Sequence, residues 1–199
     1  MTLRAGVEKI NLDIVFNNLK NAGVELQSGL TKDEICDIET YYNFKFPPDY
    51  ELFLSTLLPV NKGFHNWREY KSEKLRQAIN WPLEGIIFDV ENNMFWQPEW
   101  GDRPDTEGLR KEIAIANLKK FPKLIPICSH RFIPESPYEA GNPIISIYQT
   151  DIIYYGSDLL NYLENEFTYY FRGPNLGVNV DYSKIKRIEK WFDFIEENS

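Results

Sequence analysis

The sequence predicts an α+β fold: a single domain in which helices flank a small central β-sheet, largely antiparallel or mixed. Three observations predict it. Apolar residues recur at helical spacing through about the first 120 residues and again after Ser157. Between those regions crowd short β-branched and aromatic runs, "LIPI", "NPIISIYQ" and "DIIYYG", separated by Pro, Gly and Asn. No repeat, low-complexity tract or charge block divides the 199 residues. A chain of this length buries roughly 70% of the surface its unfolded form exposes, so 1–199 reads as one domain built on its own core.

The first helix is expected over about 7 to 21. Val7, Ile10 and Ile14, with Leu12, Phe16 and Leu19 alongside, keep helical spacing until Gly23, which suits a helix C-terminus. The second starts at Thr31, where Thr-Lys-Asp-Glu is a capping box: the Thr31 hydroxyl accepts from the N–H of Glu34, and that carboxylate accepts from the N–H of Thr31. Ile35, Ile38 and Tyr42 form its buried stripe. In "FKFPPDYELFLSTLLP", Tyr50, Phe53, Leu54, Leu57 and Leu58 fall on one helical face, with Pro48 opening the helix and Pro59 ending it. A fourth helix is expected from a capping Asn66 to Ile79, followed by "WPLEGIIFDVENN" as a short apolar element. Asp105 caps a fifth, which runs through Ile113 and Leu118 and stops before Pro122. After the strands, Ser157 caps a helix carrying Leu160, Leu163, Phe167 and Tyr170 and ending at Gly173. The stretch 172–183 is a loop, and Ile185, Ile188, Phe192 and Ile195 belong to a closing helix.

Twenty-two Lys and Arg against 30 Asp and Glu give a net charge of −8, which repels a phosphate backbone and disfavours direct binding of nucleic acid. The same charge speeds encounter with a basic protein. Cys36 and Cys128 stand in no CxxC spacing, and with only His65 and His130 beside them they cannot assemble a Cys/His zinc site of the usual kind; the carboxylates follow no ligand spacing either, so neither metal nor cofactor is expected. Two cysteines outside any CxxC pattern fit a reduced, cytoplasmic setting. No signal-peptide core and no membrane span is read in the sequence.

The run Cys128-Ser129-His130 raises the question of a nucleophile and its base. On an extended segment Cys128 and His130 share a face while Ser129 points away, and no glycine-rich elbow precedes the cysteine. The expectation is a buried thiol, a locally bonded histidine and no catalytic residue. The aromatic share of 15% is more informative. Trp67, Trp81, Trp96 and Trp100 crowd together, and "MFWQPEWGDRPD" sets two of them among Glu99, Asp102 and Asp105. The bland reading is indoles that cap the sheet beside a solvated acidic face. The sharper one is a recognition patch, because Trp carries a disproportionate share of interface energy and carboxylates select a basic partner. Trp67, Trp96, Trp100, Glu99, Asp102 and Asp105 are its candidate residues. Arg131, Tyr138 and Glu139 join them from "HRFIPESPYEAGNP", residues 130 to 143, read as a loop that prolines stiffen for presentation.

The stretch "LTKDEICDIETYYNFKFPPDYELFLSTLLPVNKG" resembles the opening of the SUKH superfamily. It has a capped helix with Thr31, Ile38 and Glu39, a Phe46-Pro47 turn, then Asp49-Tyr50 and Phe53-Leu54. "GNPIISIYQTDIIYYGSDLLNYLENEF" is similar to that family's central strands and the capped helix after them, so the resemblance covers about residues 30 to 170. Asn61-Lys62-Gly63 departs from the family's usual Asn-Gly pair. The resemblance implies a SUKH-like, non-enzymatic binding domain. Bacterial proteins of this kind are immunity proteins that neutralise polymorphic toxins, often nucleases, by direct binding. Fungal relatives are regulators of cell-wall glucan synthesis. The expected function is an intracellular immunity protein for a basic toxin domain, with a regulatory scaffold serving an endogenous protein as the alternative.

Overall fold

Strands that are apolar on both faces need cover on both faces. The computed structural model, which describes residues 2–172 and 180–197, supplies that cover with helices. Strands β3 (Leu124–Cys128), β4 (Arg131–Pro134), β5 (Ile144–Tyr148) and β6 (Asp151–Gly156) form an antiparallel meander in that order. A second, two-stranded antiparallel sheet pairs β1 (Leu26–Ser28) with β2 (Leu57–Pro59). Around them, among the described residues, stand seven α-helices: α1 (Thr2–Asn21), α2 (Lys32–Tyr42), α3 (Pro48–Thr56), α4 (Glu73–Asn92), α5 (Glu107–Leu118), α6 (Leu159–Arg172) and α7 (Trp191–Glu197). The α+β architecture expected from the sequence is the one that forms.

Two apolar clusters lie against the meander. Ile125, Ile127, Ile133 and Ile144 pack with Leu19 of α1, Ile38 of α2, Phe53 of α3 and Leu163 of α6. Phe132, Ile145, Ile147 and Ile152 pack with Ile86 and Val90 of α4, Ala114 of α5 and Phe194 of α7. Helix α4 serves both, placing Leu75 in the first cluster and Ile86 in the second. Among the described residues no helix is long and apolar enough to cross a membrane.

Two helix ends form as the sequence dictates. At the end of α1, Gly23 takes φ +79°, its N–H bonds to the Lys20 carbonyl at 2.9 Å, and Val24 N–H bonds to the Leu19 carbonyl at 2.9 Å. This is the double closure that a glycine just past the helix permits. At α2 the capping box is complete, with Glu34 N–H on Thr31 Oγ1 at 3.2 Å and Thr31 N–H on Glu34 Oε2 at 2.7 Å.

Elsewhere local signals yield to tertiary ones. Helix α3 stops at Thr56, and Leu57 and Leu58, expected on its face, belong to β2 opposite β1. Leu58 is fully buried there, and strand pairing also satisfies its backbone. Asn66 caps only a 3-10 turn, Trp67–Glu69, and Ser72 caps α4, which absorbs "WPLEGIIFDVENN" despite Pro82. Pro82 removes one helical bond, yet Leu75, Ile79, Pro82, Ile86 and Val90 stay in phase along one side, and their burial outweighs it. Asp105 does not cap α5; Thr106 stands at that position without a side-chain bond. Asp158 rather than Ser157 starts α6, its Oδ1 accepting from Asn161 N–H at 2.8 Å. Ile185 and Ile188 precede α7, and a 3-10 turn at Tyr182–Lys184 leads into them. The segment "RFIP", read as loop, is strand β4. Gly173, most of the 172–183 loop and the side chains of Val7, Ile10 and Tyr170 lie outside the described residues.

Candidate functional site

The connection from α4 to α5 is built around its aromatic residues. Helix α4 closes when the N–H groups of Asn93 and Phe95 both reach the Asp89 carbonyl, at 2.9 and 3.2 Å, with Met94 in the left-handed region at φ +61°. Phe95 then turns inward onto Phe194 at 5.8 Å. Pro98 opens a 3-10 turn, Pro98–Trp100, that Gly101 ends at φ +82°. The turn brings Trp96 and Trp100 edge to face, 5.3 Å apart at 89°, and Trp96 Nε1 donates to the Gly101 carbonyl at 2.7 Å. Such a pair contributes about 0.5–1.5 kcal/mol beyond its buried area. Two half-buried indoles are thus held in one arrangement at the surface.

Charge around this turn is asymmetric. Glu99, Asp102 and Asp105 are exposed, and among the described residues no ion pair joins any of them. The neighbouring cations are engaged elsewhere. Arg103 donates to the Val90 carbonyl at 3.3 Å, Arg110 to the Pro104 and Asp105 carbonyls at 3.1 and 2.8 Å, and Lys111 pairs with Glu91 at 3.0 Å. Both arginines are thus held by backbone oxygen, while the three carboxylates are open to solvent.

Trp67 does not belong to this patch. It is fully buried, donates from Nε1 to the Tyr50 hydroxyl at 3.0 Å and meets the Phe46 ring edge to face at 5.0 Å. The turn capped by Asn66 directs it inward, where an indole with its N–H satisfied is a large apolar filler. Arg131 is likewise not part of a presented loop. It opens β4, donates to Ser146 Oγ at 3.1 Å and lies 3.7 Å over the Tyr155 ring. Tyr138 is 60% exposed, and the exposed Glu139 pairs with Lys186 at 3.0 Å. Among the described residues no hydrogen bond, ion pair or ring contact links these three to the Trp96–Trp100 turn.

Cys128 ends β3 and is buried, its Sγ directed at the Lys62 carbonyl at 3.5 Å. Burial pushes the thiol up to about 11, so it is protonated near neutral pH and a poor nucleophile. Burial also pulls His130 down, with Arg131 adding to the effect. Both residues border a cavity of about 250 Å³ together with Glu166. Among the described residues no hydrogen bond joins His130 to Cys128 or to Ser129, which takes φ +51° in the turn between β3 and β4.

One surface group was not singled out in the sequence. Trp81, Phe88 and Tyr148 are 43%, 47% and 57% exposed. Trp81 and Tyr148 lie 6.0 Å apart, and Trp81 Nε1 donates to the Ile147 carbonyl at 3.1 Å. Gly85 lets α4 approach the β5–β6 turn, since a Cβ there would stand 3.0 Å from Gln149 Cα. The signal is present as Trp81, Gly85 and Phe88 at helical spacing, in a stretch expected only as a short apolar element.

No family model, no curated protein and no solved structure matches this chain.

Proposed function

We propose that the chain is a non-enzymatic protein-binding domain of the immunity type, which neutralises a basic toxin domain in the cytoplasm by covering it. The observation that carries this reading is the α4–α5 turn: two indoles locked against each other beside three unpaired carboxylates. Rigid aromatic anchors lose little entropy on binding, and the carboxylates steer a cationic surface toward them. No bond is made or broken; inhibition is steric. Net charge argues that the nucleic acid a nuclease toxin would attack is not itself bound here.

Co-expression with the toxin domain of a neighbouring gene tests the idea. Growth is restored by the native chain and lost with Trp100→Ala or with Glu99→Lys combined with Asp102→Lys. If the native chain rescues no such toxin and no basic protein co-purifies, the reading is wrong. The exposed Trp81, Phe88 and Tyr148 favour a second reading, a scaffold that holds an endogenous partner on another face in the manner of the cell-wall regulators. Altered wall integrity on deletion, with no toxin present, would select it.

A further inference from the structure

We infer that a groove between α2, α4 and the α5–β3 connection binds a small amphipathic anion, an apolar body carrying a single carboxylate or sulfonate. The groove measures about 420 Å³, within the roughly 300–1,000 Å³ of small-molecule sites. It follows the seam between the two apolar clusters, with Phe44 on one side and Ile86, Leu118 and Trp191 on the other. Two polar groups of its wall are already satisfied: the Tyr42 hydroxyl donates to the Tyr70 carbonyl, and Trp191 Nε1 donates to the Pro122 carbonyl at 2.8 Å. What remains facing the groove is mostly ring and hydrocarbon surface, which selects an apolar body.

Charge selects the head group. The lining residues include Lys119 and Lys123 and not one Asp or Glu, in a chain where acids outnumber bases by 30 to 22. Lys123 is tied to the rim through the carbonyls of Tyr42 and Asn43, where α2 ends. Lys119, at the C-terminal end of α5, is exposed and has no ion-pair partner among the described residues. An anion repelled by the chain's net charge meets two lysines and no carboxylate in the lining of this apolar groove.

The probe is anilinonaphthalene sulfonate, itself an aromatic anion, titrated into the isolated folded chain. The expected result is saturable fluorescence at one dye per chain, displaced by decanoate and not by decyltrimethylammonium. Lys119→Glu should weaken the dye about tenfold, whereas Lys20→Glu on the exposed side of α1 leaves it unchanged. Leu83→Trp, which fills the groove, should abolish the signal with the near-ultraviolet circular dichroism retained. Absence of saturable binding, equal displacement by the cationic amphiphile, or full dye affinity in Leu83→Trp each overturns the assignment. Because no partner protein enters the experiment, its failure is separate from any failure of the immunity reading.

Discussion

The indole N–H of Trp67 donates to the hydroxyl of Tyr50 at 3.0 Å, and that hydroxyl donates in turn to the carbonyl of Pro126 at 3.0 Å. One buried oxygen therefore joins the 3-10 turn before α4, helix α3 and strand β3. Tyr50→Phe keeps the ring against Phe46 and Phe53 but strands a donor and an acceptor without water. At about 1–3 kcal/mol for each of the two buried groups left unsatisfied, the variant should lose about 2–6 kcal/mol in urea unfolding with an unchanged m-value. A loss below about 1 kcal/mol would mean the relay contributes little.

Asp49 provides a pH test. Burial raises its pKa, against the amides of Gly141 and Tyr50, which donate to the charged form and lower it; Oδ2 accepts from Gly141 N–H at 2.9 Å. In the unfolded chain the group titrates near about 4. Because the folded value is higher, the native state binds more protons between the two values, and stability from this group falls as pH rises through that window. The stability of the native chain relative to Asp49→Asn should therefore increase as pH is lowered from 7 toward about 4. A difference that is flat, or that shrinks on acidification, contradicts the burial of this carboxyl.

The two cysteines should separate cleanly by reactivity. Cys36 is exposed and Cys128 buried, with burial pushing the Cys128 thiol up to about 11. Ellman's reagent at neutral pH should modify one thiol in the native protein and both after denaturation. Cys128→Ala should leave the native stoichiometry at one, while Cys36→Ala abolishes it. Rapid modification of Cys128 in the native state would reveal an activated thiol and reopen the catalytic reading of the turn after β3.

How far the sequence spoke depends on where each signal lives. Thr31 and Glu34 are three residues apart and satisfy one another, so their capping box is readable before any tertiary contact exists. Strands β5 and β6 are β-branched runs joined by a short turn, an equally local message. Leu57 and Leu58 continue a helical period by position alone, and only the distant β1 decides that they are strand. In the same way, Pro82 looks like a helix end until the two clusters that α4 must serve are in place. The site divides along this line. Trp96 and Trp100 were legible because turn residues surround them in the chain, whereas the burial of Trp67 depends on Tyr50 and Phe46, far away in sequence. Trp81 stood out only once Tyr148 arrived beside it.

That arrival rests on Asp89, a carboxylate that is 4% exposed. Its Oδ2 accepts from Thr150 N–H at 2.9 Å and from Thr150 Oγ1 at 2.6 Å, pinning the β5–β6 turn to α4. Tyr148 reaches Trp81 from that turn. Asp89→Ala removes both bonds and leaves the Thr150 amide without its acceptor, which should destabilise the fold by about 2–4 kcal/mol. Asp89→Asn, which keeps one acceptor oxygen, should lose less. Amide hydrogen exchange gives the local readout: protection at Thr150 should fall further than at the strand interiors in Asp89→Ala, together with a red shift of Trp81 emission as its contact with Tyr148 opens. Uniform loss of protection across the meander would instead assign Asp89 to global stability and leave the exposed aromatic face without a dedicated support.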